Sequence, residues 1–263
     1  MISCSRSPLL SRAGSPLVIL GLYCYLNPSS LMPIDRRGSP DNSGRVSGLL
    51  TIEGDVDEAR KQLCELLGAG DCASRIQFNP QSSAVVVDFT GIDLNTNEGA
   101  RLLGQLVHSE YAYNLTIGSQ YRTAAGLKSL GSDAIVNNSN TFDPPRFRIE
   151  KPASVRPPEG VDGLVAIDPL KARYLDSEGR SVPLAAIVFH ELAEAYSKVD
   201  LQKPYIDFEL GMVLHGIIVA TPTEFQRGAH NDAVQREIIL RSQRPDLQAT
   251  GRAGDTLTPE PNR

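Results

Sequence analysis

Apolar residues recur along this chain in the spacings of short strands and amphipathic helices. The stretch "GLLTIEG" (48–54) predicts a strand, and "DVDEARKQLCELLGAG" (55–70) predicts a helix that Asp55 caps and that glycines end. Two strand-like runs around residues 79–82 predict a hairpin in "RIQFNPQSSAVVVDFTG" (75–91). The following run, "NTNEGARLLGQLVHSE" (95–110), predicts a second helix because its apolar residues fall on one face.

Two further strands are predicted before the helices of the second half. "YAYNLTIGS" (111–119) predicts a strand of alternating character, and "GLVAIDP" (163–169) follows a proline-rich loop and precedes a turn at "DSEG" (176–179). Strands with interspersed helices thus come first and helices come late. This order predicts an α+β fold rather than a regular βαβ array.

The flanks of the chain have the composition of segments that do not pack. Residues 27–46 are rich in Pro, Ser, Gly and Asn, and residues 246–263 are similar, so a folded body is predicted at 47–245 between a leader (1–46) and a disordered tail. Arg6 and Arg12 precede a short apolar run at 17–26, which is the layout of a signal peptide. No small-x-small cleavage site follows the run, so a disordered leader is the alternative.

Composition narrows the functional classes. Apolar residues make up 41% of the 263 and charged residues 22%, as in globular proteins, and the formal charge of −5 predicts no nucleic-acid partner. No run of 18 apolar residues occurs, so no membrane span is predicted. The four cysteines match no CxxC metal pattern. Cys64 and Cys72 are close enough to form a disulfide, although two reduced thiols fit the sequence equally well.

The stretch "AAIVFHELAEAYSKVD" (185–200) carries the candidate chemistry. Helical spacing sets Leu184, Val188, Leu192 and Ala195 on a core-facing stripe bordered by His190 and Glu194, one turn apart. Two ligand types at i and i+4, with a carboxylate directly after the first, form the helical pattern that HExxH zinc enzymes use. A His–Glu pair at this spacing is also a common solvated pair on helices.

A third ligand would distinguish these two interpretations. The chain has four histidines, at positions 108, 190, 215 and 230. His230 opens "GAHNDAVQREIILRSQRP", in which it shares one helical face with Ala233, Val234, Glu237 and Arg241. A second helix facing the first would bring His230 to His190 and Glu194 and leave a fourth coordination position open.

The combination of "EGARLLGQLVHSEYAYNLTIGS", "AIDP", "VFHELAEAY" and "HNDAVQREIILR" resembles a group of bacterial zinc metallopeptidases. These are the type III secreted effector peptidases and the metallopeptidase domains of RHS-type toxins. The resemblance covers about residues 99–241 and implies a zincin-like fold, with a small sheet, an active-site helix and a second ligand-bearing helix. It also implies a protein or peptide substrate, and it leaves location open between the bacterial cytoplasm and secretion.

Two positions depart from the pattern of that group. Glu194 stands where the group has its second histidine, and His230 stands where it has a glutamate. The two departures are complementary, because HExxH with a later Glu has become HExxE with a later His. Either set supplies two imidazoles and one carboxylate. The group's asparagine after its last glutamate is Ile238 here.

The resemblance implies zinc bound by His190, Glu194 and His230, with Glu191 as the general base that activates the metal-bound water. Tyr196 and His215 are candidates for stabilising the oxyanion, although each also fits a packed residue. Glu237 and Arg241 are either a pair that orients a ligand or a surface ion pair.

The sequence is also compatible with two other functions. The first is a zincin-like binding protein without catalysis, whose metal is structural or absent. The second is an iron oxygenase, since two His and one carboxylate also hold non-haem iron. The chain shows no jelly-roll strand pattern around these residues, so zinc peptidase chemistry is the preferred prediction. The oligomeric state is not indicated.

Overall fold

A mixed six-stranded sheet forms the centre of the protein, in the order β2-β3-β1-β4-β8-β7. The structure is a computed structural model that describes residues 45–145, 148, 150–176, 179–204, 213–214, 217–218, 228–247 and 258–259. The sheet strands are β1 (Arg45–Gly54), β2 (Ile76–Phe78), β3 (Ala84–Asp88), β4 (Tyr113–Ile117), β7 (Ala134–Asn138) and β8 (Gly163–Ile167). β1, β4 and β8 run parallel, and the other pairings are antiparallel.

The helices are α1 (Val56–Leu67), α2 (Cys72–Arg75), α3 (Glu98–His108), α4 (Leu184–Val199) and α5 (Ala229–Gln243) among the described residues. The first helix begins as predicted, since the Asp55 carboxylate accepts from the Glu58 amide, and Gly68 ends it in the left-handed conformation at φ 68°. Asn97 caps α3 in the same way by accepting from the Ala100 amide.

The layers of the molecule are compatible with the predicted α+β class. Helices α1, α3 and α4 contact one another, and one core cluster joins them to inward residues of the sheet such as Leu115 and Val165. On the opposite face Leu164 and Ala166 pack with Tyr121. Helices therefore gather on one face of the sheet, as in α+β folds.

Strand β4 was predicted as a strand of alternating character, and the structure shows a strand there that is buried along its whole length. All five of its residues are buried, since β4 lies inside the sheet and both faces of the sheet are covered. Its polar side chains are satisfied inside the sheet: Thr116 donates to Asn114 Oδ1 at 2.8 Å, and Asn114 donates to Thr51 Oγ1 at 3.2 Å. The alternation in the sequence reflects these internal bonds rather than a solvated face.

Several strands were not predicted from the sequence. β5 (Gln120–Thr123) and β6 (Gly126–Ser129) form a hairpin, and β7 closes one edge of the main sheet. Smaller pairings join β9 (Tyr174–Leu175) to β12 (Thr258–Pro259) and β10 (Val213–Leu214) to β11 (Ile217–Ile218).

The predicted flanks fall largely outside the described residues. β1 begins at Arg45, two residues before the predicted start of the body. Within the predicted tail, Asp246 and Leu247 belong to a short 3-10 turn, and residues 258–259 pair with β9. The predicted signal-like run at 17–26 lies outside the described part. No described helix has the length and apolar character needed to cross a membrane.

Cys64 and Cys72 form a disulfide that joins the end of α1 to α2. The sequence alone fits either a disulfide or two thiols at this pair. The bond closes a loop with a sequence separation of 8 residues. A disulfide of this kind is typical of proteins that fold in an oxidising compartment.

Candidate metal centre

Helix α4 is an interior helix that carries ionisable residues on three successive turns. Apart from Leu184 and Tyr196, all of its residues are buried, because β7, β8, α1 and α5 pack around it. His190, Glu194 and Lys198 follow one another at i, i+4 and i+8 and line a common cavity. The first two of these residues were predicted from the sequence, whereas Lys198 was not.

Helix α5 brings the third ligand candidate to α4. It packs along α4 with a buried face of Ala229, Ala233, Arg236, Glu237, Leu240 and Arg241. His230, in its first turn, points its Nδ1 at Glu194 Oε2 (3.0 Å) and at His190 Nε2 (3.3 Å). The structure therefore brings together the three residues that the sequence proposed as ligands, with one ligand atom of each within 4.8 Å of the others.

The spacing of these atoms suits a small cation. Ligand atoms about 2.0–2.1 Å from a tetrahedral zinc ion lie roughly 3.3 Å from one another. The two spacings at His230 Nδ1, 3.0 and 3.3 Å, are close to that value. A proton on His230 Nδ1 would be shared between two acceptors, His190 Nε2 and Glu194 Oε2. A metal ion in place of that proton would accept a lone pair from each of the three atoms. The cluster can hold a metal ion, and its geometry leaves the identity of that ion open.

A buried carboxylate fixes the orientation of His190. Glu237 Oε2 lies 2.9 Å from His190 Nδ1, and both side chains are almost completely buried. An ionised carboxylate only accepts, so the proton of the ring sits on Nδ1 and the lone pair of Nε2 faces His230. Arg241 Nη2 lies 3.3 Å from the other Glu237 oxygen, and both residues are buried. The interpretation of Glu237 and Arg241 as a surface ion pair is therefore wrong.

Glu194 is held as a carboxylate by its neighbours. Burial raises its pKa, but Lys198, His230 and His190 together outweigh burial and lower the pKa below its usual value. Lys198 Nζ lies 2.7 Å from Glu194 Oε1, and His230 is on Oε2. Glu194 is thus held in its charged form, which is the form that can bind a metal ion.

A cavity of about 540 Å³ opens in front of the cluster. Its walls include Glu191, the proposed general base, and the whole of strand β7 at the edge of the sheet. Glu191 is 8% exposed and directly follows His190 in helix α4. A volume of this size is in the range of ligand-binding pockets.

Of the two predicted oxyanion candidates, the described residues include only Tyr196, and it does not line the cavity. Tyr196 is absent from the described residues that line the cavity, and its ring faces the guanidinium of Arg236, with 5.6 Å from the carbon to the ring centroid. His215 lies outside the described residues. Lys198 and β7 are the parts of the site that were not predicted from the sequence. The i+4 spacing of Lys198 from Glu194 was the available signal for the lysine.

Comparison of the chain with protein-family models, curated proteins and solved structures finds no match.

Proposed function

We propose that this protein is a zinc-dependent metallopeptidase of zincin-like fold. The observation that carries the proposal is the convergence of His190 Nε2, Glu194 Oε2 and His230 Nδ1 from two facing helices on one point in a cavity. Two imidazoles and one carboxylate are a known catalytic zinc set. His190, Glu194 and His230 would hold the ion, which supplies Lewis acidity toward a water molecule and a substrate carbonyl.

Glu191 acts as the general base in this proposal. Its carboxylate accepts a proton from the attacking water and passes that proton to the leaving amine. Glu191 lines the same cavity as the three ligands and lies next to His190 in the chain. Glu237 keeps the His190 ring in the tautomer that presents Nε2 to the metal.

The wall opposite α4 supports a peptide substrate. β7 (Ala134–Asn138) is an edge strand, and an edge strand offers backbone groups to an extended chain. Lys198 and Lys151 already donate to the carbonyls of Val136 and Asn138, at 3.0 and 3.1 Å. Each carbonyl keeps a second lone pair for a substrate amide. A role as a secreted effector or toxin rests only on the motif resemblance described above.

Metal content tests the proposal directly. The full chain, purified without chelator, should contain close to one equivalent of zinc by elemental analysis, and His230→Ala should lose it. Glu191→Gln should retain zinc but lose cleavage of a broad protein substrate by about 10²–10⁴-fold, because the base is removed and the ligands are not. Zinc in both proteins with no difference in cleavage would mean a non-catalytic metal protein. Absence of zinc from the wild type would refute the metal site itself.

A further inference from the structure

Lys198 contacts a proposed ligand, and neither the motif nor the mechanism uses it. It lies one turn after Glu194 on α4, and its side chain is 6% exposed. Its Nζ donates to Glu194 Oε1 at 2.7 Å and to the Val136 carbonyl of β7 at 3.0 Å. The lysine therefore joins a proposed metal ligand to the strand that forms the facing wall of the cavity.

The two oxygens of Glu194 have different partners. Oε1 is taken by Lys198, and Oε2 faces His230 Nδ1 at 3.0 Å. We propose that Lys198 is a positioning residue that makes a carboxylate, rather than an imidazole, the required ligand at position 194. This inference rests on the proposed metal site. Lys198 orients Glu194 so that one oxygen is held by the ammonium and the other is directed at the two histidines.

The physical reason is the cost of a buried charge. An ammonium group this far from solvent needs an anionic partner, and breaking a buried pair by removing one member is strongly unfavourable. A histidine at position 194 would remove the carboxylate that Lys198 contacts at 2.7 Å and place the ammonium beside a divalent cation. Glu194 and Lys198 together carry no net charge, so the ligand set and the lysine match the charge of three neutral ligands. The unusual ligand at 194 and the buried lysine at 198 are thus one feature of the site.

A double-mutant cycle tests the inference in the full chain. The four proteins are the wild type, Lys198→Met, Glu194→His, and the combination of both substitutions. Each is measured for zinc affinity by competition with a chromophoric chelator, and for thermal unfolding after the metal has been removed. Methionine keeps an unbranched apolar stem that is one atom shorter than lysine, and it removes the charge.

We expect the two positions to be coupled in both measurements. Without metal, Glu194→His should unfold at a lower temperature than the wild type, and adding Lys198→Met should recover most of that loss. For zinc, the compared quantity is the ratio of the affinity with Lys198→Met to the affinity without it. This ratio should be at least tenfold higher in the Glu194→His background than in the wild-type background. A lysine that serves only to pack the helix would not produce this second coupling.

Lys151→Met provides the matched control. Lys151 lines the same cavity and donates to a carbonyl of the same strand, at Asn138, but it pairs with Asp143. Its substitution should change zinc affinity by the same factor in both backgrounds.

Three outcomes would contradict the inference, and they distinguish a failure of the role of Lys198 from a failure of the metal site. If wild type binds zinc and Lys198→Met changes affinity equally in the two backgrounds, within twofold, the inference about Lys198 is overturned while the metal site stands. Recovery of thermal stability without coupling in zinc affinity also overturns it, because that result describes a structural ion pair. If wild type binds no zinc, the proposed function fails first, and the inference falls with it.

Discussion

Replacing Glu237 by glutamine should weaken zinc binding although Glu237 is not a proposed ligand. Glu237 Oε2 contacts His190 Nδ1 at 2.9 Å in a buried environment, and Arg241 approaches its other oxygen at 3.3 Å. Glutamine keeps the size and one acceptor oxygen but removes the charge. The ring of His190 then loses its charge-assisted bond, and Nε2 becomes a poorer donor to the metal.

The expected loss follows from the kind of contact. Substitution of the group that orients a metal-binding histidine typically costs 10–100-fold in metal affinity. That factor corresponds to about 1.4–2.7 kcal/mol. Competition between the protein and a chromophoric chelator at neutral pH measures it directly. The variant should also unfold at a lower temperature, because Arg241 loses an anionic partner, so affinity is compared well below the unfolding transition.

Glu98→Gln is the matched control for this experiment. Glu98 is a buried carboxylate that accepts from Arg236 Nε at 2.6 Å, and Arg236 lies on α5, the helix that carries Glu237. Its loss should lower thermal stability and leave zinc affinity unchanged. If Glu237→Gln binds zinc within twofold of the wild type, or if both variants weaken zinc equally, Glu237 does not orient His190.

Two further predictions concern stability away from the cavity. Replacing Cys64 and Cys72 together by serine should lower the free energy of unfolding by about 2.5 kcal/mol, because the short loop that the disulfide closes is no longer constrained in the unfolded chain. Urea unfolding without reductant measures this difference. Equal midpoints for the two proteins would contradict the disulfide. Burial raises the pKa of Asp200 more than its bonds from Ser109 and Tyr113 lower it, so the folded state holds the proton to higher pH than the unfolded state. The free energy of unfolding therefore falls as pH rises from below the unfolded pKa through the folded one. Asp200→Asn, which cannot ionise, should therefore gain stability relative to wild type as pH rises above the unfolded value of about 3.9. A difference that stays constant with pH would contradict the shift.

Local signals in the sequence predicted the first helices well because each depends on neighbouring residues. Asp55 caps α1 through its own side chain, and Gly68 ends the helix through its own backbone. The environment of β4 could not be read in this way. Asn114 and Thr116 have the pattern of solvated positions, and only the neighbouring strands, which come from distant parts of the chain, make them interior.

In the candidate site, too, features that depend on neighbouring residues were predicted, and a feature that depends on distant residues was missed. The i, i+4 relation of His190 and Glu194 is a property of one helix and was accessible from the sequence. The approach of His230 was proposed from the helical spacing of its own segment, and the structure brings it to the pair. The strand that lines the cavity was missed, because "DAIVNN" (133–138) is short and lies far from α4 in the chain. Nothing local connects that strand with the helix it faces.

The charges buried around α4 are difficult to explain by stability alone. The ionisable residues concerned are His190, Glu191, Glu194, Lys198, Glu237 and Arg241, all at most 8% exposed. Replacing a buried ionic network by packed apolar residues is often neutral or stabilising, so an interior helix gains little from such a network by itself. Here the imidazoles and one carboxylate oxygen converge on a single point, and the remaining charges hold those groups in place. A network with one point of convergence, open to a cavity, is the arrangement expected where binding a cation offsets the cost of burial, and this supports a metal-dependent function over a structural one.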